Sequence, residues 1–189
     1  MSLAAAKAAI RAEAKARRAA AHGSTDPAPA HAALAALLGA SAGQIVAGYA
    51  PIGTEIDPLP ALAPLAATHR LCLPVTHGRG RPLSFRAWVP GQALGPAGFG
   101  TSAPLEAPEL VPRVLVVPLL AFDRLGGRMG YGAGHYDRTL AMLRARGPVQ
   151  AWGLAYAAQE FDALPQEPTD QPLDGIVTEQ GVLRSAPGI

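Results

Sequence analysis

An apolar run at residues 114–117 stops at Pro118 and opens into a loop carrying Gly126, Gly127, Gly130, Gly132 and Gly134; a helical segment follows directly. This order constrains the fold more than any other feature, because a strand, a glycine loop and a helix form the core of an α/β unit. Glycines let the backbone turn tightly and aim successive N–H groups at one spot, and a helix N-terminus adds a positive dipole there. Such a loop suits phosphate. Asp123, Arg124, Arg128, Asp137 and Arg138 surround it, offering carboxylate oxygens for a hard cation and guanidinium groups for a polyphosphate.

The rest of the chain supplies partners for that unit. Ala, Lys, Arg and Glu predict a helix over residues 3–21, ended by Gly23-Ser24-Thr25. Asp26 is placed to cap a second helix to about Leu38, with Pro27 at its first position. Strands are expected at 44–49, 70–75, 83–89, 114–118, 150–156 and, as the last core strand, 175–178. Helices are expected at 60–68 and 135–146, and residues 91–108, rich in Gly and Pro, as a loop with little regular structure. Alternating strands and helices predict one α/β domain over residues 1–189, a Rossmann-like three-layer α/β/α fold with a mainly parallel central sheet. Segments 49–55, 118–137 and 156–160 all follow strands and should converge on one mouth.

Composition sets the outer limits. The 189 residues are 49% hydrophobic and 16% charged, enough to bury a core. No apolar run is long enough to span a bilayer, and the N-terminus lacks a signal peptide's apolar centre. The single cysteine, Cys72, lies in an apolar run and reads as an inert buried thiol; a cytoplasmic location is expected. A net charge of +2, with the basic residues gathered in the first helix and the glycine loop, fits small anionic ligands better than nucleic acid. Trp88, Trp152 and Tyr156 read as core or pocket wall. His22, His31, His69 and His77 show no metal-ligand spacing and read as surface residues.

The stretch AFDRLGGRMGYGAGHYDRTL closely resembles the signature of the 5-formyltetrahydrofolate cyclo-ligase (methenyltetrahydrofolate synthetase) family, roughly F-D-x-x-G-x-R-L-G-x-G-x-G-Y-Y-D-x-x-L. Phe122, Asp123, Gly127, Arg128, Gly130, Gly132, Gly134, Tyr136, Asp137 and Leu140 match. Lys7 and Arg11 reproduce the family's early K-x-x-x-R, Tyr49 to Asp57 its Y-x-P-x-x-x-E-I-D, and Asp170 to Val177 its closing D-x-x-x-D segment. Met129 stands where leucine is usual, Ala133 where glycine or lysine is, and His135 where tyrosine or phenylalanine is.

The resemblance implies ATP- and Mg²⁺-dependent closure of 5-formyltetrahydrofolate to 5,10-methenyltetrahydrofolate, with release of ADP and phosphate through a phosphorylated formyl (iminophosphate) intermediate. The substrates would be small molecules, with no nucleic acid or membrane partner, and the chain a monomer. It implies ATP contacts from Lys7, Arg11, Arg128, Met129, Gly130, Tyr131, Gly132, Ala133, Gly134, His135 and Tyr136, with Arg128 on the transferring phosphate. Folate contacts fall to Ala50, Glu55, Tyr131, His135 and Tyr136, and Mg²⁺ to Asp137 and Asp174. Each residue keeps a plainer reading. Lys7 and Arg11 share a helix face that solvent alone would suit. Arg128 also suits an ion pair with Asp123, Asp137 one with Arg138, Asp174 a strand end, and Glu55 an exposed turn. Three other functions stay open: a phosphosugar isomerase or nucleotide binder of similar architecture, a non-catalytic nucleotide- or folate-binding module of the same fold, and nucleic-acid binding.

Overall fold

The structure, a computed structural model, describes residues 2–40 and 42–185. Helix α1 (Leu3–His22) is capped by Ser2, whose side chain accepts the Ala5 N–H at 3.3 Å. Helix α2 (Ala28–Gly39) starts one residue later than expected, with Pro27 at the N-cap and Asp26 Oδ1 accepting the Ala28 N–H at 2.9 Å. The third helical segment divides into α3 (Leu59–Leu62) and a 3-10 turn (Ala63–Ala67), since Pro64 lacks the N–H that an α-helix needs. Helix α4 (His135–Arg144) follows the glycine loop as expected.

The core strands are β1 (Ile45–Ala47), β2 (Arg70–Val75), β3 (Ser84–Trp88), β6 (Val114–Pro118), β9 (Gln150–Leu154), β10 (Gly175–Thr178) and β11 (Gly181–Arg184). They form one seven-stranded sheet in the order β11-β10-β9-β6-β1-β2-β3. Its inner pairings are parallel, and the edge strands β3 and β11 run antiparallel. Two short hairpins stand outside it: β4 (Gly95–Pro96) with β5 (Ser102–Ala103), and β7 (Ala121–Phe122) with β8 (Arg128–Met129). Strand β11 goes beyond the expected last core strand. Its residues alternate between half-buried and exposed, so no continuous apolar run marks it.

Strand β6 shows why the sheet is covered on both sides. Val114 and Val116 pack with α2 and α3 through Leu34, Leu38 and Leu62, whereas Leu115 and Val117 pack with Leu140 and Leu143 of α4. These four residues of β6 are all buried, and each such side chain contributes roughly 1.5–3 kcal/mol of burial. The result is the three-layer α/β/α arrangement with a mostly parallel sheet. Cys72 sits in the second cluster with no exposure, and burial pushes its thiol pKa up to about 12, so it stays protonated. His69, expected at the surface, is buried at the foot of β2. No helix of the described residues is long and apolar enough to cross a membrane.

Candidate active site

A cavity of about 1110 Å³ opens beyond the carboxyl ends of β1 and β6. Most of its wall comes from Lys7 and Arg11 of α1, Tyr49, Ala50, Ile52 and Glu55 of the turn after β1, residues 128–138 of the glycine loop and α4, and Pro165 with residues 167–171; Pro74 and Thr76 at the end of β2, Leu83, Pro118 and Ala141 add to it. Phe99 and Thr101, between β4 and β5, close one side. Segment 156–160 does not line it. Its Gln159 side chain donates to the Leu119 and Leu120 carbonyls, and Glu160 pairs with Arg124 at 2.6 Å, so it braces the glycine loop from behind.

The loop is built around two aspartates with different duties. Asp123, 4% exposed, accepts the N–H groups of Leu125, Gly127 and Leu164 at 3.0, 2.9 and 3.0 Å. It fixes the β7–β8 hairpin and takes no part in the cavity. Asp137 lines the cavity from the first turn of α4. Its Oδ1 accepts from Arg128 Nη2 at 2.5 Å and from the Gln171 N–H at 3.0 Å. The ion pair of Arg128 is therefore with Asp137, not Asp123, and its other arm donates to the Gln171 carbonyl. Gly132 and Gly134 hold left-handed backbone (φ +96° and +64°), and Gly134 is the N-cap of α4. The positive end of the α4 dipole thus faces the cavity.

The cations from α1 are held ready. Lys7 Nζ lies 2.8 Å from Glu167 Oε2 and 3.2 Å from Asp170 Oδ2, and Arg11 Nε donates to the Gly130 carbonyl at 3.0 Å. Burial works to lower the Lys7 pKa, but Glu167 and Asp170 outweigh it and leave it raised, so the ammonium is secure. Glu55 is no exposed turn residue: it is 6% exposed, its Oε2 accepts the Ile52 N–H at 2.8 Å, and Arg18 Nη1 stands 3.5 Å from its Oε1. Burial pushes its carboxyl up, opposed by Ile52, Arg18 and Tyr131, and the net shift is upward. Burial, with the Glu55 charge, also holds the Tyr136 hydroxyl protonated. The Phe99 ring, half-exposed, meets the His135 ring edge-on at 5.2 Å between centroids.

One cavity thus gathers cations, a glycine loop and a buried carboxylate from segments far apart in sequence. The sequence profile of the 5-formyltetrahydrofolate cyclo-ligase family matches residues 3–179, which include every segment of that wall. The chain belongs to this family.

A 5-formyltetrahydrofolate cyclo-ligase of Mycolicibacterium smegmatis is 35% identical over 156 residues, covering 75% of this chain and 77% of that protein. One of Escherichia coli is 34% identical over 144 residues, covering 72% and 79%. The solved 5,10-methenyltetrahydrofolate synthetase of Aquifex aeolicus superposes with a TM-score of 0.76 at 27% identity, over 97% of this chain and 94% of that one.

Of the residues singled out from sequence, Lys7, Arg11, Ala50, Glu55, Arg128, Met129, Gly130, Tyr131, Gly132, Ala133, Gly134, His135, Tyr136 and Asp137 all line the cavity. Asp174 does not. It precedes β10 and so lies at the opposite end of the sheet, where its Oδ2 accepts the Ala151 N–H at 2.7 Å and faces Arg144 at 3.5 Å. Arg144 ends α4 while Asp137 begins it, a separation of about 10 Å along the axis. The two aspartates thus stand at opposite ends of α4. Among the described residues, no group of three or more His, Cys, Asp or Glu is placed to hold a metal ion. The residues missed from sequence are Arg18, Phe99, Glu167 and Gln171. For Arg18 the signal was present, because it shares a helix face with Lys7 and Arg11.

Proposed function

We propose that this chain converts 5-formyltetrahydrofolate to 5,10-methenyltetrahydrofolate, consuming ATP with Mg²⁺ and releasing ADP and phosphate. What carries the reading is the meeting of a cationic and amide-rich half-site with a carboxylate half-site across one cavity. Lys7, Arg11, Arg128 and the amides of residues 130–134 suit a polyphosphate. Glu55, buried and facing the same space, suits the paired donors of a pterin ring. Tyr131, His135 and Tyr136, with Ala50 beside them, supply flat apolar wall.

The chemistry needs an amide oxygen turned into a leaving group. The formyl oxygen attacks the γ-phosphorus, and the bond to the bridging oxygen of ADP breaks. N10 then attacks the formyl carbon, the C–O bond breaks with phosphate leaving, and N10 loses its proton. No protein nucleophile is required, so the chain contributes position and charge. In this reading Arg128 neutralises the transferring phosphoryl group, and water exclusion falls to the apolar wall and Phe99.

Magnesium fits this donor set in one way. Asp137 Oδ2 receives no hydrogen bond among the described residues, and the side chain is 25% exposed. One carboxylate oxygen beside bound phosphates and waters suffices for Mg²⁺, which supplies charge neutralisation on the polyphosphate when bound. Asp174 is left out of that set. The reading is tested by measuring phosphate release from ATP with and without 5-formyltetrahydrofolate. Release that requires the folate is expected; equal release without it would contradict the reading.

A further inference from the structure

Arg18 is the residue of the site's surroundings that neither the family motif nor the cavity wall accounts for. It lies eleven residues beyond Lys7 and seven beyond Arg11, close to whole numbers of helical turns, and so continues the cationic face of α1. Lys7 and Arg11 line the cavity, whereas Arg18 stands behind it with 5% exposure. Its neighbour Arg17 behaves as surface arginines do, pairing with Glu13 one turn back and with the Glu160 carbonyl.

A guanidinium this deeply buried is costly unless its surroundings use the charge. Arg18 Nε donates to Thr54 Oγ1 at 3.0 Å, and Nη2 donates to the Tyr131 hydroxyl at 2.6 Å. Nη1 has no hydrogen-bond partner among the described residues and sits 3.5 Å from Glu55 Oε1. Thr54 and Glu55 belong to the turn after β1, and Tyr131 to the glycine loop. One side chain therefore spans the two halves of the cavity. It also leaves Glu55 Oε1 beside a cation, and Arg18 and the Tyr131 hydroxyl both favour the charged carboxylate.

We propose that Arg18 is a positioning residue for substrate recognition: it holds Glu55 at the cavity wall, ready to accept from the donor edge of the ring substrate, and it ties Tyr131 to the same place. The inference rests on the assignment of Glu55 to the folate. The charged and titratable groups facing Glu55 are Arg18 from α1, Tyr49 from its own segment, Tyr131 from the glycine loop and Tyr136 from α4. Burial already raises the Glu55 pKa, and Arg18 opposes it. Removing Arg18 raises that pKa further. A site that needs ionised Glu55 then loses substrate at a higher pH as the solution is acidified.

The test compares wild type with Arg18→Met, Arg18→Lys and Glu55→Gln, following the rate against 5-formyltetrahydrofolate and against ATP as pH is lowered from neutral. Arg18→Met is expected to raise the KM for the folate about tenfold and to move the acid limb of kcat/KM up by about one pH unit, with the KM for ATP within about twofold. Arg18→Lys keeps the charge but cannot reach Tyr131 and Glu55 together, so the acid limb stays near the wild-type position while the folate KM remains severalfold raised. Should Arg18→Met fail to fold, Arg18→Lys decides by itself, and a wild-type folate KM in it overturns the proposal. A lowered melting temperature in Arg18→Met with folate KM and acid limb unchanged means a purely structural arginine and also overturns it. If Glu55→Gln raises the folate KM and the Arg18 variants do not, this inference alone fails. If Glu55→Gln leaves the folate KM unchanged, the assignment of Glu55 fails and the role of Arg18 falls with it.

Discussion

A Cβ added at Gly127 would come within 2.5 Å of Asp123 Oδ2 and 2.6 Å of Gln166 Nε2, whereas one added at Gly130 meets nothing within 4 Å. Neither glycine has left-handed backbone, so space alone separates them. The first half of the loop, residues 121–129, is a packed hairpin pinned by Asp123. The second half, 130–134, faces the cavity and touches side chains that can move, Arg11 at Gly132 and Arg138 at Gly134. A loop that binds a changing ligand needs both: a base rigid enough to hold position and an open rim where phosphate approaches the backbone. Sequence shows glycine in both halves and cannot say which kind each is.

The largest effect is expected from Arg128→Ala, at the junction where the packed half meets the open one. It removes the cation assigned to the transferring phosphate and should lower kcat about 10²–10³-fold while circular dichroism stays native. Near-normal turnover would confine Arg128 to holding Asp137.

Next in size is the contrast between the two aspartates. Asp137→Asn should raise the Mg²⁺ concentration for half-maximal rate about tenfold, and Asp174→Asn should leave it unchanged while costing about 1 kcal/mol in denaturant unfolding. A raised Mg²⁺ requirement in Asp174→Asn would return that residue to the metal site and contradict the geometry.

The smallest and sharpest pair is Gly127→Ala against Gly130→Ala. Gly127→Ala should destabilise by about 1–3 kcal/mol, because Asp123 is pinned by three N–H groups and cannot give way. Gly130→Ala should change stability by under about 0.5 kcal/mol yet raise the KM for ATP severalfold, since its methyl enters the space assigned to phosphate. Unchanged ATP affinity in Gly130→Ala would place the phosphates elsewhere.

Much of this was readable because it is local or periodic. The buried parallel strands announce themselves as apolar runs, α1 by its composition, and the cavity loop by its glycines between strand and helix. The family signature carried the site assignments from Lys7 to Asp137. What escaped depends on contacts across the fold. Whether Arg17 or Arg18 is the buried one is set by Thr54, Glu55 and Tyr131, none of them near in sequence. Lys7 finds its carboxylates at Glu167 and Asp170, at the other end of the chain. Phe99 sits in a Gly/Pro-rich stretch with no periodic pattern, and reaches the cavity through the short β4–β5 hairpin. Asp174 matched a motif, yet a strand start and a strand end look alike until the sheet direction is known.

In the proposed function the two half-sites of this cavity act on one molecule of folate and one of ATP together. The most direct test follows the absorbance band of methenyltetrahydrofolate with purified protein, 5-formyltetrahydrofolate and Mg²⁺, then adds ATP. The band is expected to grow only after ATP is added, in proportion to the ATP consumed. A flat trace from folded protein that still binds ATP would contradict it and point to a binding module that keeps the fold without the ring closure.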